Sequence, residues 1–308
     1  MRYRNLLLFC SLAAIWGSAF VAIKAGLGTP TNPAYFYDAP VLFAAVRYDV
    51  AGVLMFAYAA WATERVLPRG RTEWLLVGIG AVFLIAGYHT FLFVGERGTT
   101  SAAAAVIVSL SPVLTTAFAR VLLPGERLTV IGLVGMILGL LGVGILSSPD
   151  PSNLVGSRFE LLVFGAAISF ALGSVLARRF EGTLPIETME AWSMLGGGVL
   201  MHVVSATRGE SVVGVPPVEE ALALAYLAIA ASAVGFLIYF RLLGRLGPIE
   251  INLVSYVAPV AAAIVGFLWL GEVIDANTVI GFFVIVVGFV LIKRGAIRAE
   301  ISRYHTRG

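Results

Sequence analysis

The sequence predicts an all-α polytopic membrane protein with ten transmembrane helices, arranged as two inverted five-helix repeats. Three observations predict it. First, 59% of the 308 residues are hydrophobic and only 13% are charged, with a mean hydropathy of +0.94. A soluble domain of this size carries about 25% charge. Second, ten segments approach the roughly 20 apolar residues that cross a bilayer. Third, two stretches share one layout. In 98–127, Ser111-Pro112 sits mid-run and Gly125-Glu126 at the end. In 247–272, Ala258-Pro259 and Gly271-Glu272 take those places. Pro112 precedes Glu126 by 14 residues and Pro259 precedes Glu272 by 13. Beyond them, Gly135 and Gly142 match Gly281 and Gly288. The two halves follow one plan.

The predicted spans are 5–27, 39–62, 74–94, 100–122, 129–146, 159–180, 186–206, 218–241, 248–270 and 277–293. Basic residues precede the first, as in a signal sequence. Its apolar run is too long for one and lacks a small-residue cleavage site, so it reads as a retained span. The longest connections, 28–38, 147–158 and 207–217, are rich in Pro, Gly, Ser or Asn. The halves divide at 147–158, giving a first repeat over 1–147 and a second over 148–308 with a short cytoplasmic tail. Five spans per half is an odd number, so the second half enters the membrane from the opposite face. The repeats are then related by a pseudo-twofold axis in the membrane plane, as in many alternating-access carriers.

Charge sets the orientation. With the N-terminus cytoplasmic, sixteen of the 21 Lys and Arg residues fall inside and only Arg97, Arg158 and Arg208 outside; Lys24 and Arg47 lie within spans. Both termini inside requires an even span count, which agrees with ten. The expected location is the cytoplasmic (plasma) membrane, with the lipid bilayer as a partner.

Proline removes a backbone donor and frees the carbonyl four residues back. Pro112 and Pro259 therefore free the carbonyls of Val108 and Ser255 near mid-membrane, where they must face protein or a water-filled cavity. Polar residues line up beside them. Asn252, Ser255, Tyr256 and Pro259 have the spacing of one helix face, and so do Ser101, Ser109, Pro112 and Thr116. Such residues also serve as helix glue. Beside two proline kinks, the stripes predict a shared path. The Gly-Glu pairs fall on opposite faces of the membrane and read as turns: glycine ends a helix, and the carboxylate sits near the start of the next.

Ionisable residues within spans are candidates by default. Arg47 and Asp49 point to nearly opposite sides of one helix, so each needs its own partner. Arg47 lies about 12 Å from the outer end and could snorkel, as could Lys24. His89, beside Tyr88, could carry protons or bind substrate, or be a structural group; His202 carries less weight. Trp16 and Tyr256 are the deepest aromatics. The substrate-binding candidates are thus Trp16, Arg47, Tyr88, His89, Ser109, Pro112, Asn252, Tyr256 and Pro259. Gly132, Gly135, Gly139 and Gly142 make one smooth face of the fifth span, suited to close helix packing.

Other classes find no support. The lone Cys10 excludes an intrachain disulfide. There is no Walker loop, HExxH, GxSxG or Cys/His cluster, so no cofactor, metal site or catalytic residue is expected. The dispersed charge of +3 does not suggest nucleic acid. No glutamate sits at mid-membrane, and Asp49 is the only deep acid. A membrane-embedded enzyme or scaffold acting on lipid-linked substrates is the alternative, but no convergent acid, base or metal site can be assembled. Whether the protein pairs as a homodimer is left open.

Particular residues resemble a known family. Trp16-Gly17-Ser18 through Lys24, Arg47, Thr100-Ser101-Ala102, Ser111-Pro112, Gly125-Glu126-Arg127-Leu128-Thr129, Gly247-Pro248, Pro259 and Gly271-Glu272 resemble the EamA-type members of the drug/metabolite transporter superfamily. The likeness covers nearly the whole chain. It departs in one extra residue before Gly125 and a longer 28–38 connection. The resemblance implies that helices one, three, four, six, eight and nine surround a central cavity, with five and ten peripheral. It also implies a secondary transporter for export or uptake of small metabolites, commonly amino acids or related solutes, with efflux preferred over uptake. The scarcity of deep acids favours a neutral, zwitterionic or anionic solute.

Overall fold

The computed structural model describes residues 2–29, 32–98, 104, 107–123, 129–147, 158–180, 182–270 and 276–305. The Thr100-Ser101-Ala102 run, both Gly-Glu turns and most of the link between the halves lie outside these. The described chain is helical almost throughout. In order come α1 (Arg2–Leu27), α2 (Pro40–Ala62), α3 (Gly70–Glu96), α4 (Ser111–Leu122) and α5 (Val130–Ser147). Then follow α6 (Arg158–Arg179), α7 (Ile186–Thr207), α8 (Val218–Leu246), α9 (Val254–Leu270) and α10 (Ala276–His305). A five-residue helix, Pro248–Asn252, leads into α9. In the connection after α1, β1 (Gly28–Thr29) pairs antiparallel with β2 (Asn32–Pro33).

Local chemistry explains several boundaries. Pro40 and Pro248 open their helices, and Pro185 and Pro217 stand just before α7 and α8. Proline's fixed φ suits a helix start, where its missing donor would be unpaired anyway. Gly247 turns the chain between α8 and the short helix at φ +78°, a conformation that L side chains resist. Two helices widen mid-way. Gly80–Gly87 in α3 and Leu227–Val234 in α8 take the π-helical register. Such segments are rare and concentrate at functional sites.

Among the described residues, five helices are long and apolar enough to cross a membrane: Arg4–Leu27, Pro40–Ala62, Gly70–Glu96, Arg158–Arg179 and Val218–Leu246. Val130–Ile145 and Val279–Ile292 are shorter apolar helices. The protein is therefore a polytopic helical membrane protein.

Helix partners are specific. α5 packs on α10, and α2 on α7. α9 packs on α1, and α4 on α6. α3 packs on α6 and α7, while α8 packs on α1 and α2. Lipid tails are as apolar as leucine, so such contacts rest on close packing and interhelical hydrogen bonds rather than on the hydrophobic effect. The glycine face of α5 is an instance. A Cβ on Gly135 would stand 2.6 Å from the Gly288 carbonyl oxygen, and one on Gly142 would stand 2.9 Å from that of Gly281.

Charged residues gather at two ends of the bundle. At one, Arg65 pairs with Glu73 at 2.8 Å and donates to the Thr183 carbonyl, and Arg241 pairs with Glu187 at 2.8 Å. Arg245 bonds Asn5 there, and Arg179 bonds the Leu122 carbonyl. At the other end, Arg97 pairs with Asp38 at 3.0 Å, and Glu210 accepts from both Arg208 and the Leu42 amide. The arginines of the first group belong to the set expected inside, and those of the second to the set expected outside.

Candidate functional site

A narrow cavity runs into the bundle, with about 60 Å³ open to the centres of water molecules. That holds several waters or one small solute. Trp16 of α1, Arg47 of α2 and Tyr88 and His89 of α3 line it. So do Val108, just before the turn that precedes α4, Ser111 at the start of α4, Phe170 of α6 and Phe236 of α8. Asn252, Ser255 and Pro259 complete the wall. The lining helices are the six that the resemblance implies, with Arg47 reaching in from α2.

Arg47 is 3% exposed, yet it does not snorkel. Its Nε donates to Ser232 Oγ at 2.7 Å, inside the π-helical turn of α8. Its guanidinium lies 5.1 Å from the Tyr48 ring centre and 6.0 Å from that of Phe93. Among the described residues no carboxylate stands within ion-pair distance of it. A buried cation held by one hydroxyl and two aromatic faces has spare donors for an incoming anionic group.

The widened turns supply carbonyls to their neighbours. Trp16 Nε1 donates to the Ala231 carbonyl at 3.0 Å, and Ser169 Oγ donates to that of Phe83 at 2.7 Å. His89 Nδ1 lies 2.9 Å from the Ile85 carbonyl oxygen. A carbonyl only accepts, so Nδ1 carries the proton. Nε2 then accepts from the Tyr48 hydroxyl at 2.8 Å. Both nitrogens are used, and His89 is fixed as a neutral wall of the cavity. Trp16 is held further by ring contacts with Phe170, Phe236 and Tyr239 at 5.8, 5.4 and 5.3 Å.

The proline-freed carbonyls do not open to the cavity as unpaired groups. Ser111 Oγ donates to the Val108 carbonyl at 2.6 Å, and Ser109 Oγ to that of Ser255 at 2.9 Å. Ser109 thus ties the first proline region to the second. Pro112 also sits differently from expectation. A turn at Ser109–Leu110 ends the preceding helix, and Pro112 is the second residue of α4 rather than a kink within it. Its ring is absent from the cavity wall.

Asn252 forms a closed polar knot. Its Nδ2 donates to Thr115 Oγ1 at 2.7 Å and Ser174 Oγ at 2.9 Å, and its Oδ1 accepts from Tyr239 OH at 3.0 Å. Helices α4, α6 and α8 meet there. Tyr256 departs from the expected stripe. The helix stops at Asn252 and restarts at Val254, so the two residues do not share one continuous face. Tyr256 turns outward onto α5, where its hydroxyl donates to the Met136 carbonyl at 2.9 Å. Asp49 has its own partner, His202 Nε2 at 2.6 Å, on the half-exposed side of the α2–α7 pair. Lys24 reaches the backbone carbonyl of Glu96 at 3.5 Å.

Two mutational outcomes follow from this geometry. Asn252→Ala leaves three partners short at once, and should cost about 2–3 kcal/mol of stability together with transport. The checks are thermal melting in detergent and flux in vesicles. Tyr256→Phe should lose about 1 kcal/mol and leave transport unchanged. Lost transport at normal stability would return Tyr256 to the solute path.

The EamA-like transporter family model matches twice, over residues 4–148 and 157–294. The chain belongs to the EamA-like transporter family. It is 32% identical over 301 residues to an uncharacterized inner membrane transporter of Escherichia coli K12, YedA, covering 96% of this chain and 94% of that one. A WAT1-related chloroplast protein of Arabidopsis thaliana is 27% identical, over 90% of this chain and 66% of its own. An uncharacterized Bacillus subtilis transporter, YvbV, is 24% identical, over 94% of this chain and 92% of its own. One crystal structure superposes with a TM-score of 0.75 at 23% identity, over 97% of this chain and 100% of that one. It shares the fold.

As an EamA-like transporter, the chain has a cavity wall only partly visible in its sequence. Six of the nine residues singled out line the cavity; Ser109, Pro112 and Tyr256 do not. Phe170 and Phe236 carried no signal, since they are apolar residues within apolar helices. Glu96 falls two residues beyond the predicted span 74–94, outside the reach of a search for ionisable groups within spans.

Proposed function

We propose that the chain is a secondary carrier of a small neutral, zwitterionic or anionic organic solute, such as an amino acid. The solute moves through the cavity by alternating access, working in efflux. One observation carries this reading: Arg47 is buried against the cavity with a hydroxyl and two rings around it, and with no carboxylate among the described residues in ion-pair reach. A fixed charge without a counter-ion inside a membrane is costly unless a ligand uses it. The aromatic wall would bury the rest of a small solute, with few polar groups fixing its orientation.

The proposed halves are the two five-helix repeats, 1–147 and 148–308. Support comes from the packing. Exchanging each helix with the one five further on turns α1–α9 into α6–α4, α3–α6 into α8–α1, and α3–α7 into α8–α2. All of these pairs occur. The α2–α7 and α5–α10 pairs map onto themselves. The π-helical turns of α3 and α8 exchange as well, and so do the residues on their carbonyls, Trp16 of α1 and Ser169 of α6. Both termini are placed in the cytoplasm, in keeping with the segregation of basic residues at one end.

The test is uptake and release of a radiolabelled amino-acid and organic-acid panel by proteoliposomes. At least one solute should move faster than in protein-free vesicles, and unlabelled solute should compete. If none does under inward or outward ion gradients, the solute class is wrong. Recovery of a chemically altered solute would instead favour an enzyme acting within the membrane.

A further inference from the structure

Among the described residues, two carboxylates inside the bundle have no hydrogen-bond partner on either oxygen: Glu96 and Glu190. Glu190 stands near Glu187, which is already tied to Arg241. Glu96 adjoins the cavity. It lies at the end of α3, one turn beyond Leu92, and Leu92 lines the wall. Lys24 of α1, next to the wall residue Ile23, stands beside it and bonds its backbone carbonyl at 3.5 Å instead of its carboxylate. Arg47 of α2 lies within electrostatic reach. Among the described residues, the other charges around this end are Arg97, paired with Asp38, Arg208, paired with Glu210, and Arg158 and Glu160 in the first turn of α6, which packs on α3.

We propose that Glu96 is a proton-binding site coupled to the solute site through Arg47, so that a proton and an anionic solute group are carried together. This rests on the proposed carrier function. Glu96 is 1% exposed. A carboxylate anion buried without donors is a poorly tolerated arrangement, whereas the neutral acid fits the site as found. Two states are available to the same residues. With the proton on, Lys24 stays on the backbone carbonyl and the charge of Arg47 is free for the solute. With the proton off, the Glu96 anion draws on Lys24 and Arg47 and competes with the solute for the same positive charge. Solute binding therefore favours proton binding, and linkage makes the effect reciprocal. The proton comes from water on one face and returns to water on the other. The coupling has no built-in direction: the pair leaves the cell, as the proposed efflux requires, when the outward solute gradient exceeds the inward proton gradient, and enters when it does not.

Infrared spectroscopy of the full-length protein in lipid nanodiscs reads the proton without any solute. Wild type at neutral pH should show the C=O stretch of a protonated carboxylic acid that shifts in heavy water. Glu190 is buried in the same unpartnered way and can add a band of its own, so the band assigned to Glu96 is the one that Glu96→Gln loses, Glu96→Asp shifts and Glu190→Gln leaves in place. If the Glu96→Gln spectrum differs from wild type only in carboxylate bands, the site is ionised and the proposal is overturned. Vesicle flux then reads the coupling. One proton per cycle gives up to about tenfold in accumulation ratio per pH unit. Wild type should respond to a pH gradient accordingly, and Glu96→Asp should respond in part. Glu96→Gln should exchange labelled for unlabelled solute but show less than about a twofold response. Flux that ignores the pH gradient in wild type overturns the coupling. If no solute in the panel moves, the carrier reading fails for that panel, and the infrared titration still decides whether Glu96 holds a proton.

Discussion

Arg47→Gln is expected to reduce transport more than any other single change in the cavity. Glutamine keeps hydrogen-bonding capacity and much of the length, and removes the charge. The Arg47 Nε bond to Ser232 disappears, and so do the contacts with the Tyr48 and Phe93 rings. Losing a charge-assisted hydrogen bond to the solute costs about 2–3 kcal/mol, or roughly 30- to 150-fold in transport at low solute concentration. Arg47→Lys retains the charge but not the planar fork, and should lose about tenfold. Both variants should remain folded, because the arginine's neighbours are one hydroxyl and two rings rather than a buried anion left unpaired. Initial-rate flux with a solute identified on wild type gives the ratio. Arg47→Gln transporting within threefold of wild type would mean that the solute does not use this charge.

The charge on Arg47 was legible in the sequence; its setting was not. A basic residue about eight positions from a span end can equally snorkel, and only the fold shows Ser232 waiting for it from a helix 185 positions away. The same holds for the other ionisable residues. Asp49 was evident as a deep acid, but its partner His202 could not be picked out, because the α2–α7 pairing joins the two halves. Helix existence was read well, since apolar run length and flanking charge are local properties. Interruptions were read poorly. The breaks at Ser109–Leu110 and Leu253 lie inside segments whose length and hydropathy read as single continuous spans, and both change which residues reach the cavity. The π-helical turns left no trace in composition, yet they set the carbonyls that hold Trp16 and His89. Serine capping also explains why the proline-freed carbonyls stay inside the protein. Those hydroxyls are close in sequence for Val108 and distant for Ser255.

Gly288→Leu is expected to be the most destabilising substitution in the bundle. The helices α5 and α10 cross at backbone contact. A Cβ on Gly288 would stand 2.5 Å from the Gly135 carbonyl oxygen and 2.6 Å from the Gly139 nitrogen. Backbone atoms cannot rotate aside, so the helices must separate. Overpacking a close site costs about 1–3 kcal/mol and more when nothing can yield. Lipid filling the gap restores apolar surface but not the interhelical contacts. The variant should melt well below wild type in detergent. Gly144→Leu on α5 serves as a control, because a Cβ there meets nothing within 4 Å. The contact pattern carries a second meaning. In the repeat register Gly135 corresponds to Gly281 and Gly142 to Gly288. In the fold Gly135 meets Gly288 and Gly142 meets Gly281. Residue i of one half touching residue j of the other, and the reverse, is the mark of a twofold interface. By that symmetry Gly142→Leu should destabilise to within about 1 kcal/mol of Gly288→Leu. A large gap between the two melting shifts would count against a twofold relation between α5 and α10, and with it against the proposed inverted repeat.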